Sequence, residues 1–202
     1  MTLKSNARGL GFVSNYVWQR RNWIIAVLLA AILPAAADTS YLSAKRKFDQ
    51  IENERLRPGT RVDFSPGELN AYAVHEVPDG VRNPQLQLVS PGVATGTALV
   101  DFAKLRRSQG AEPGWLLSTL LNGERPVSVT ARIRSANGQA TVDVQKMEIS
   151  GMTIDGSTLD FLIQNVLMPL YPDAAVGKPF DLGHRIEQVN VRPGGVSILI
   201  GR

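Results

Sequence analysis

Apolar and polar residues alternate along residues 126–149, a pattern that predicts two antiparallel strands with one buried face. Asn137-Gly138 divides the two strands, and both residues tolerate the positive φ that a type I′ turn requires. Counting from this turn fixes the register of the hairpin, in which apolar residues face apolar residues and a cation faces an anion. The predicted pairs are Ile133 with Val142, Ala131 with Val144, and Arg132 with Asp143.

The alternation loses its phase after Val144, because Lys146 then falls on the apolar face. One extra residue near Gln145-Lys146 restores the phase, and we therefore predict a β-bulge at that place. A hairpin with one apolar face also needs a cover, which a helix or a second sheet can supply. Across the bulge, the predicted pairs are Met147 with Val129 and Ile149 with Val127.

Two further hairpins are predicted from the same kind of alternation. The first covers residues 85–102, with Ser90-Pro91-Gly92 as its turn. The second pairs residues 185–191 with residues 196–200, around a turn that contains Gly194-Gly195. Three hairpins in one chain favour an antiparallel sheet.

Helical spacing marks the stretch before the first hairpin. Residues 40–57 carry Ala44, Phe48 and Ile51 at helical spacing among many charges, which predicts an amphipathic helix that leads from a membrane or lies on the domain. A short strand is predicted over residues 61–64. Ser65 and Glu68 then form a capping box, with Pro66 at the first helical position, so a second helix is predicted from Pro66 to about Val77.

Two later segments are more apolar than an ordinary amphipathic helix. Residues 113–122 predict a short helix, and residues 157–168 predict another that is apolar nearly all round, with Asp155 or Ser157 as its cap. A helix of that kind is either deeply buried or lines a pocket that something else fills. Residues 104–110 are polar and predict an exposed loop whose cations form a solvated cluster. The order of elements predicts an α+β fold.

The N-terminus has the features of an export signal. Residues 23–37 are apolar, follow Arg20-Arg21 directly, and end in a small-residue site before Asp38. The run is shorter than the roughly 20 residues that span a bilayer. Counted from Trp18, with the arginines reaching back to the interface, it approaches that length. We therefore expect residues 1–37 to be a signal peptide or a retained membrane anchor rather than a core helix, with the rest of the chain outside the cytoplasm, in the periplasm or at the cell surface.

The charge of the chain adds little to these predictions once the N-terminal segment is set aside. The chain has 22 basic and 18 acidic residues, and four of the basic residues precede Asp38, so 18 basic residues balance 18 acidic ones in the remainder. A neutral domain lacks the basic patch that nucleic acid would require, and no nucleic acid partner is expected. The absence of cysteine from the sequence excludes disulfides and thiolate metal sites.

No motif of catalytic or cofactor chemistry occurs in the sequence. His75 and His184 are far apart and belong to no ligand-spaced cluster, so no metal site is expected. The nucleophile elbow, the phosphate loop and the dinucleotide fingerprint are all missing from the sequence. We therefore expect neither enzyme activity nor a cofactor.

Two stretches of the sequence carry a resemblance to a known family. One is the strand at 62–64 followed by the Ser65-x-x-Glu68-Leu69-Asn70 helix start, and the other is the progression from Gly123-x-x-Pro126 through the Asn-Gly hairpin to Gly151 and the apolar helix. Both stretches resemble small anchored bacterial proteins of the tubular lipid-binding (TULIP-like) type. The resemblance covers about residues 60–200. It implies a curved antiparallel sheet of hairpins wrapped around apolar helices to form a groove for acyl chains.

The sequence thus predicts a signal or anchor over 1–37, a connecting helix over 38–59 and an α+β domain over 60–202. The expected function is extracytoplasmic lipid binding in a groove between the sheet and the helices at 113–122 and 157–168. The alternative is a non-catalytic structural subunit of a cell-envelope complex, in which the same leucines form only a core and the partner is another envelope protein. The groove candidates are Trp115, Leu116, Leu120, Leu159, Leu162, Val166 and Leu167.

Overall fold

A computed structural model describes residues 37–108, 110, 123–168 and 176–202, and the side chains of Val166 and Leu167 are outside this description. In these ranges the chain is α+β, with four α-helices and two antiparallel sheets. The predicted signal or anchor and the helix predicted over 113–122 lie outside the described residues. No helix in the described part of the chain has the length and apolar character needed to cross a membrane.

The helices and strands alternate along the chain. The helices are α1 (Ala37–Glu52), α2 (Pro66–Glu76), α3 (Phe102–Ser108) and α4 (Gly156–Leu162), and α4 continues into a π-helical turn over Ile163–Leu167. The strands are β1 (Arg61–Phe64), β2 (Val81–Ser90), β3 (Val93–Asp101), β4 (Glu124–Ala136), β5 (Gln139–Ile149), β6 (Met152–Ile154), β7 (Phe180–Asp181), β8 (Ile186–Arg192) and β9 (Gly195–Ile200).

The strands form a large and a small sheet rather than the single sheet that was expected. The large sheet has the order β2-β3-β4-β5-β6, with β7 also paired to β5, and the small sheet has the order β1-β9-β8. All three predicted hairpins are present, as β2–β3, β4–β5 and β8–β9. Their division into two sheets depends on contacts between distant parts of the chain, which local alternation does not encode.

The central hairpin has the predicted register. Ile133 pairs with Val142 and Ala131 with Val144, and the pairing then jumps so that Thr130 faces Lys146. The extra residue of this bulge is Gln145, and beyond it Val129 faces Met147 and Val127 faces Ile149, as predicted. Asn137 and Gly138 have φ values of 52° and 78°, as their turn requires.

The first core cluster lies between the small sheet, helices α1 and α2, and one end of the large sheet. Helix α1 contributes Ala44, Phe48 and Ile51, whose exposed fractions are 4% or less, so this helix lies on the domain and is part of its core. Ser65 and Glu68 form the predicted capping box of α2. The other buried members are Val62, Phe64, Leu69, Ala73, Leu86, Ala94, Ile186, Val189, Val191, Val196, Ile198 and Ile200.

Helix α1 ends at Glu52, which is earlier than the predicted end near Arg57. The amide of Arg55 donates to the carbonyl of Gln50, and the amide of Glu54 donates to that of Ile51, both at 3.0 Å. These are the two hydrogen bonds of a Schellman motif, in which Glu54 occupies the left-handed position with a φ of 51°. Glycine is the usual residue there, so no local pattern predicts this helix end.

The prediction of an exposed loop over residues 104–110 is wrong. Residues 102–108 form helix α3, and the amide of Lys104 donates to the Asp101 carboxylate at 2.9 Å, which caps the helix N-terminus. Phe102, Ala103 and Leu105 are buried because they pack under the helix. Of the predicted solvated cations, Lys104 and Arg107 are exposed, whereas Arg106 is half-buried.

The large sheet is held at one end by the edge of β8. Gly138, in the turn of the central hairpin, donates to the carbonyl of Glu187, and Gly92, in the β2–β3 turn, donates to that of Val191. Between them, the Ser135 hydroxyl accepts a hydrogen bond from the amide of Val189 and donates one to the carbonyl oxygen of Val189, each at 2.7 Å. Because these contacts satisfy alternate residues of β8, the hairpin tips close the edge of the small sheet.

Candidate functional site

The two faces of the large sheet differ in character. On one face, Thr95 and Thr130 are joined by a hydrogen bond of 2.8 Å, and Arg134 pairs with Asp143. Thr97 is exposed on this polar face. The opposite face is built from apolar side chains that share rows across the strands, and we call it the apolar face.

The strand registers define the rows of the apolar face. From the end held by β8 towards the far end, the rows are Ile133–Val142, then Leu88–Ala94–Ala131–Val144, then Leu86–Gly96–Val129–Met147–Ile154, then Ala98–Val127–Ile149–Met152, then Val81–Val100.

Both ends of the apolar face are covered. Leu86 and Ala94 belong to the first core cluster. At the far end, α3 and α4 cover a second core cluster, with Ala98, Val127, Met147, Ile154 and Phe161 packed at its margin. The buried members of this second cluster are Val100, Phe102, Leu105, Ile149 and Leu162.

Between the two clusters, the apolar face is only half-buried. Gly96, Val129 and Val144 are each partly exposed and belong to neither cluster. The interior strand β3 carries two small residues there, Gly96 and Ala98, which leave room above the sheet between larger neighbours. Along β3, the rows between the buried Ala94 and Val100 are those of Gly96 and Ala98, which lie about 7 Å apart. The result is an apolar strip that is closed at both ends and open in the middle.

The predicted groove residues occupy different places. Leu162 is 4% exposed and lies in the second core cluster, and Leu159 is half-buried on α4. Val166 and Leu167 lie in the π-helical turn that continues α4. The remaining candidates, Trp115, Leu116 and Leu120, lie outside the described residues.

The sequence predicted a groove between the sheet and the helices at 113–122 and 157–168, but every candidate residue lay on those helices and none on a strand. Val129 and Val144 were assigned to the buried face of the hairpin, but nothing local indicated that this face is open halfway along. Gly96 and Ala98 were the available signal for an open middle of the sheet, since small residues at the inward positions of an interior strand leave room above them. The row in which Gly96 faces Val129 becomes visible only when β3 is paired with β4.

Charged and aromatic groups cluster elsewhere, between α1 and α2. The ring of Tyr41 stacks on His75 at 4.1 Å, and its hydroxyl donates to Glu76. Burial raises the pKa of Tyr72. Burial also works against the charge of Glu68, but hydrogen bonds from Lys47, Ser43 and the Ser65 amide outweigh it and lower the pKa of Glu68. Within the described ranges, no three potential ligands come together as a metal site.

Comparison of the chain with models of known protein families, with curated proteins and with solved structures finds no match.

Proposed function

We propose that this chain is a lipid-binding protein that holds an acyl chain along the apolar face of its large sheet. The observation that carries the proposal is the half-buried strip of Gly96, Val129 and Val144 between two closed core clusters, with Ala98 at the margin of the second cluster. A ligand that buries this strip needs an apolar body and no complementary charge. An acyl chain has that chemistry, and no catalytic residue is required to hold it.

Hydrophobic burial is the driving force that we propose for this binding. Each methylene group that leaves water contributes roughly 0.8 kcal/mol. The open rows span about 7 Å along β3, which accommodates a short run of methylene groups, and the burial of these groups offsets the entropic cost of ordering the chain. The polar face of the same sheet, with Thr95, Thr130 and Thr97, offers no comparable surface.

The proposed location is extracytoplasmic, and it rests on the signal or anchor pattern of residues 23–37. The resemblance to TULIP-like proteins points the same way, because it implies a sheet that carries acyl chains outside the cytoplasm. Helix α1 starts at Ala37, the last residue of this N-terminal segment, and packs into the first core cluster. If the segment is retained as an anchor, the domain therefore stays close to the membrane from which a lipid is taken.

The test uses two neighbouring residues of β3 that lie on opposite faces. Ala98→Gln places a polar group on the apolar strip, whereas Thr97→Gln places the same group on the exposed polar face. The full chain is purified without added lipid, its organic extract is examined by mass spectrometry, and a fluorescent fatty acid is titrated into each variant. We expect co-purified lipid and saturable binding in the wild type and in Thr97→Gln, and weaker binding in Ala98→Gln. Absence of binding by the wild type refutes the proposal.

A structural subunit of an envelope complex is the second candidate. Met152 lies on the edge strand β6 with 66% of its surface exposed, in the same row as the buried Ile149. An exposed methionine that continues a core row suits a protein contact. Under this function, purified chain contains no lipid, and Met152→Ser weakens capture of an envelope protein without changing the melting temperature.

A further inference from the structure

Arg106 is a cation without a counter-ion among the described residues. Its Nη1 atom donates to the backbone carbonyl of Asn165 at 2.8 Å, and no ion pair within the described ranges involves it. Its Nε atom is shielded from solvent and has no hydrogen-bond partner in the described part of the chain. Buried polar atoms are nearly always satisfied, so an unpaired guanidinium donor calls for an acceptor that comes from elsewhere.

The position of Arg106 connects it to the apolar face. The preceding residue, Leu105, is buried in the second core cluster, which closes the far end of the strip. Asn165 lies in the π-helical turn after α4, and its side chain donates to the carbonyl of Phe161 at 2.9 Å. The guanidinium is therefore held where α3 and the end of α4 meet, beside the far end of the strip. Turns of the π type occur frequently at functional sites.

The bond to Asn165 also decides which edge of the guanidinium remains for a ligand. Because Nη1 is occupied, the Nε and Nη2 donors are left without a partner among the described residues. An anion that displaces the cover of Nε can accept from both donors through two parallel hydrogen bonds. Lys104 and Arg107 are exposed on the same helix, and helix α3 contains no acidic residue. Their charges add attraction for an anion that approaches this end of the domain.

We propose that Arg106 binds the anionic head group, a carboxylate or a phosphate, of a lipid whose acyl chain lies on the apolar strip. This inference rests on the proposed function and adds the class of lipid to it. The acyl chain supplies affinity by burial, and the Nε–Nη2 edge selects an acidic head group over a neutral one.

The test compares ligands that share one chain and differ in the head group: hexadecanoate, hexadecyl phosphate and hexadecanol. Each is titrated, below the concentration at which it forms micelles, into the full wild-type chain and into Arg106→Gln, Arg106→Lys and Arg107→Gln. We expect the wild type to prefer at least one of the two anions to the alcohol by about tenfold or more. Arg106→Gln should lose this preference and keep its affinity for the alcohol, and Arg107→Gln should retain most of the preference.

The Arg106→Lys variant separates two-point binding by the Nε–Nη2 edge from attraction by charge alone. It keeps the charge but not the Nε–Nη2 edge, so we expect it to lose most of the preference while its melting temperature stays near that of the wild type. It also serves as the test variant if Arg106→Gln does not fold. An equal preference in wild type and in both Arg106 variants overturns the inference, and so does a wild type that binds the alcohol as tightly as the anions. If the wild type binds none of the three, the proposed function fails as well.

Discussion

The Nη2 atom of Arg185 donates a hydrogen bond of 2.6 Å to the carbonyl oxygen of Glu54, although the two residues lie 131 positions apart in the chain. The same atom donates to the carbonyl of Leu56 at 2.9 Å. The Nε atom lies 3.3 Å from the Glu54 carboxylate, an ion pair without the alignment of a hydrogen bond. Arg185 therefore joins the start of β8 to the segment that follows α1.

Arg185→Gln should destabilise the domain by about 1–3 kcal/mol, since it removes charge-assisted hydrogen bonds to two carbonyl oxygens. Glu54→Gly, by contrast, should not destabilise the domain. It loses a partly exposed ion pair worth about 0–1 kcal/mol but relieves the left-handed φ of 51°, so we expect between no change and a gain of about 1 kcal/mol. Chemical denaturation of both variants checks this, and equal destabilisation by both would show that the Glu54 side chain, not its carbonyl, is the important partner.

A chain that begins at Asp38 should melt cooperatively, whereas one that begins at Thr60 should not. Helix α1 lies within the first core cluster, so its removal exposes the apolar residues that it covers. The single change Phe48→Ala should cost about 3–5 kcal/mol, and Gln50→Ala, at an exposed position of the same helix, should stay within about 0.5 kcal/mol of the wild type. Circular dichroism melts provide the measurement. A cooperative melt of the shorter chain would mean that the domain folds without α1 and that α1 only packs on its surface.

The pH dependence of stability should change when Glu68 is replaced by Gln. The pKa of Glu68 is lowered in the folded chain, so the unfolded chain binds more protons in the acid range. Its contribution is complete above the ordinary pKa of a glutamate and is lost as the pH falls through the lowered folded value. Glu68→Gln should therefore cost about 1–2 kcal/mol near neutral pH and less in acid. A constant difference across the acid range contradicts this, and the exposed Glu187→Gln serves as the control.

These contacts mark the boundary of what the sequence predicts. The register of β4 and β5 and the bulge at Gln145 follow from local alternation and one turn, and the helix start at Ser65 follows from its capping box. Helix α1 ends at Glu52, and the carbonyl of Glu54 just beyond it accepts from Arg185, which no local pattern connects to it. Asp101 was a local signal for the start of helix α3, but the cations that follow it made the segment resemble an exposed loop.

The strip that we propose as a binding site illustrates the same limit. Alternation identifies which face of each strand is apolar, but it does not say how far along the sheet a cover extends. That extent is set by where α1, α2, α3 and α4 pack, through contacts between distant parts of the chain. The sequence therefore indicated groove residues on the helices, whereas the half-buried apolar strip of the described chain lies on the strands.

Deletion of Gln145 should be far more damaging than Gln145→Ala. The bulge returns Met147 and Ile149 to the apolar face, and without it a one-residue shift turns both side chains to the polar face. Ile149 is 3% exposed, so its displacement alone should cost about 2–5 kcal/mol, the range for removal of a buried aliphatic side chain. The exposed Gln145 side chain itself should contribute less than about 0.5 kcal/mol. Denaturant titration compares the two, and similar stabilities would show that the strand tolerates either register.

Filling variants on β4 separate an open strip from an ordinary core. Val129 and Ala131 lie on the same face of this strand, but Ala131 is fully buried and Val129 is half-buried outside both core clusters. Ala131→Leu should overpack a closed site and destabilise the domain by about 1–3 kcal/mol. Val129→Phe should leave the melting temperature of the lipid-free chain unchanged or raised, because the ring enters space kept for a ligand, and should reduce fatty-acid binding for the same reason. Paired melting and fluorescent fatty-acid titrations measure both effects. Destabilisation by both variants, with no binding by the wild type, would mean that the middle of the sheet is core and would leave the structural role as the function of this domain.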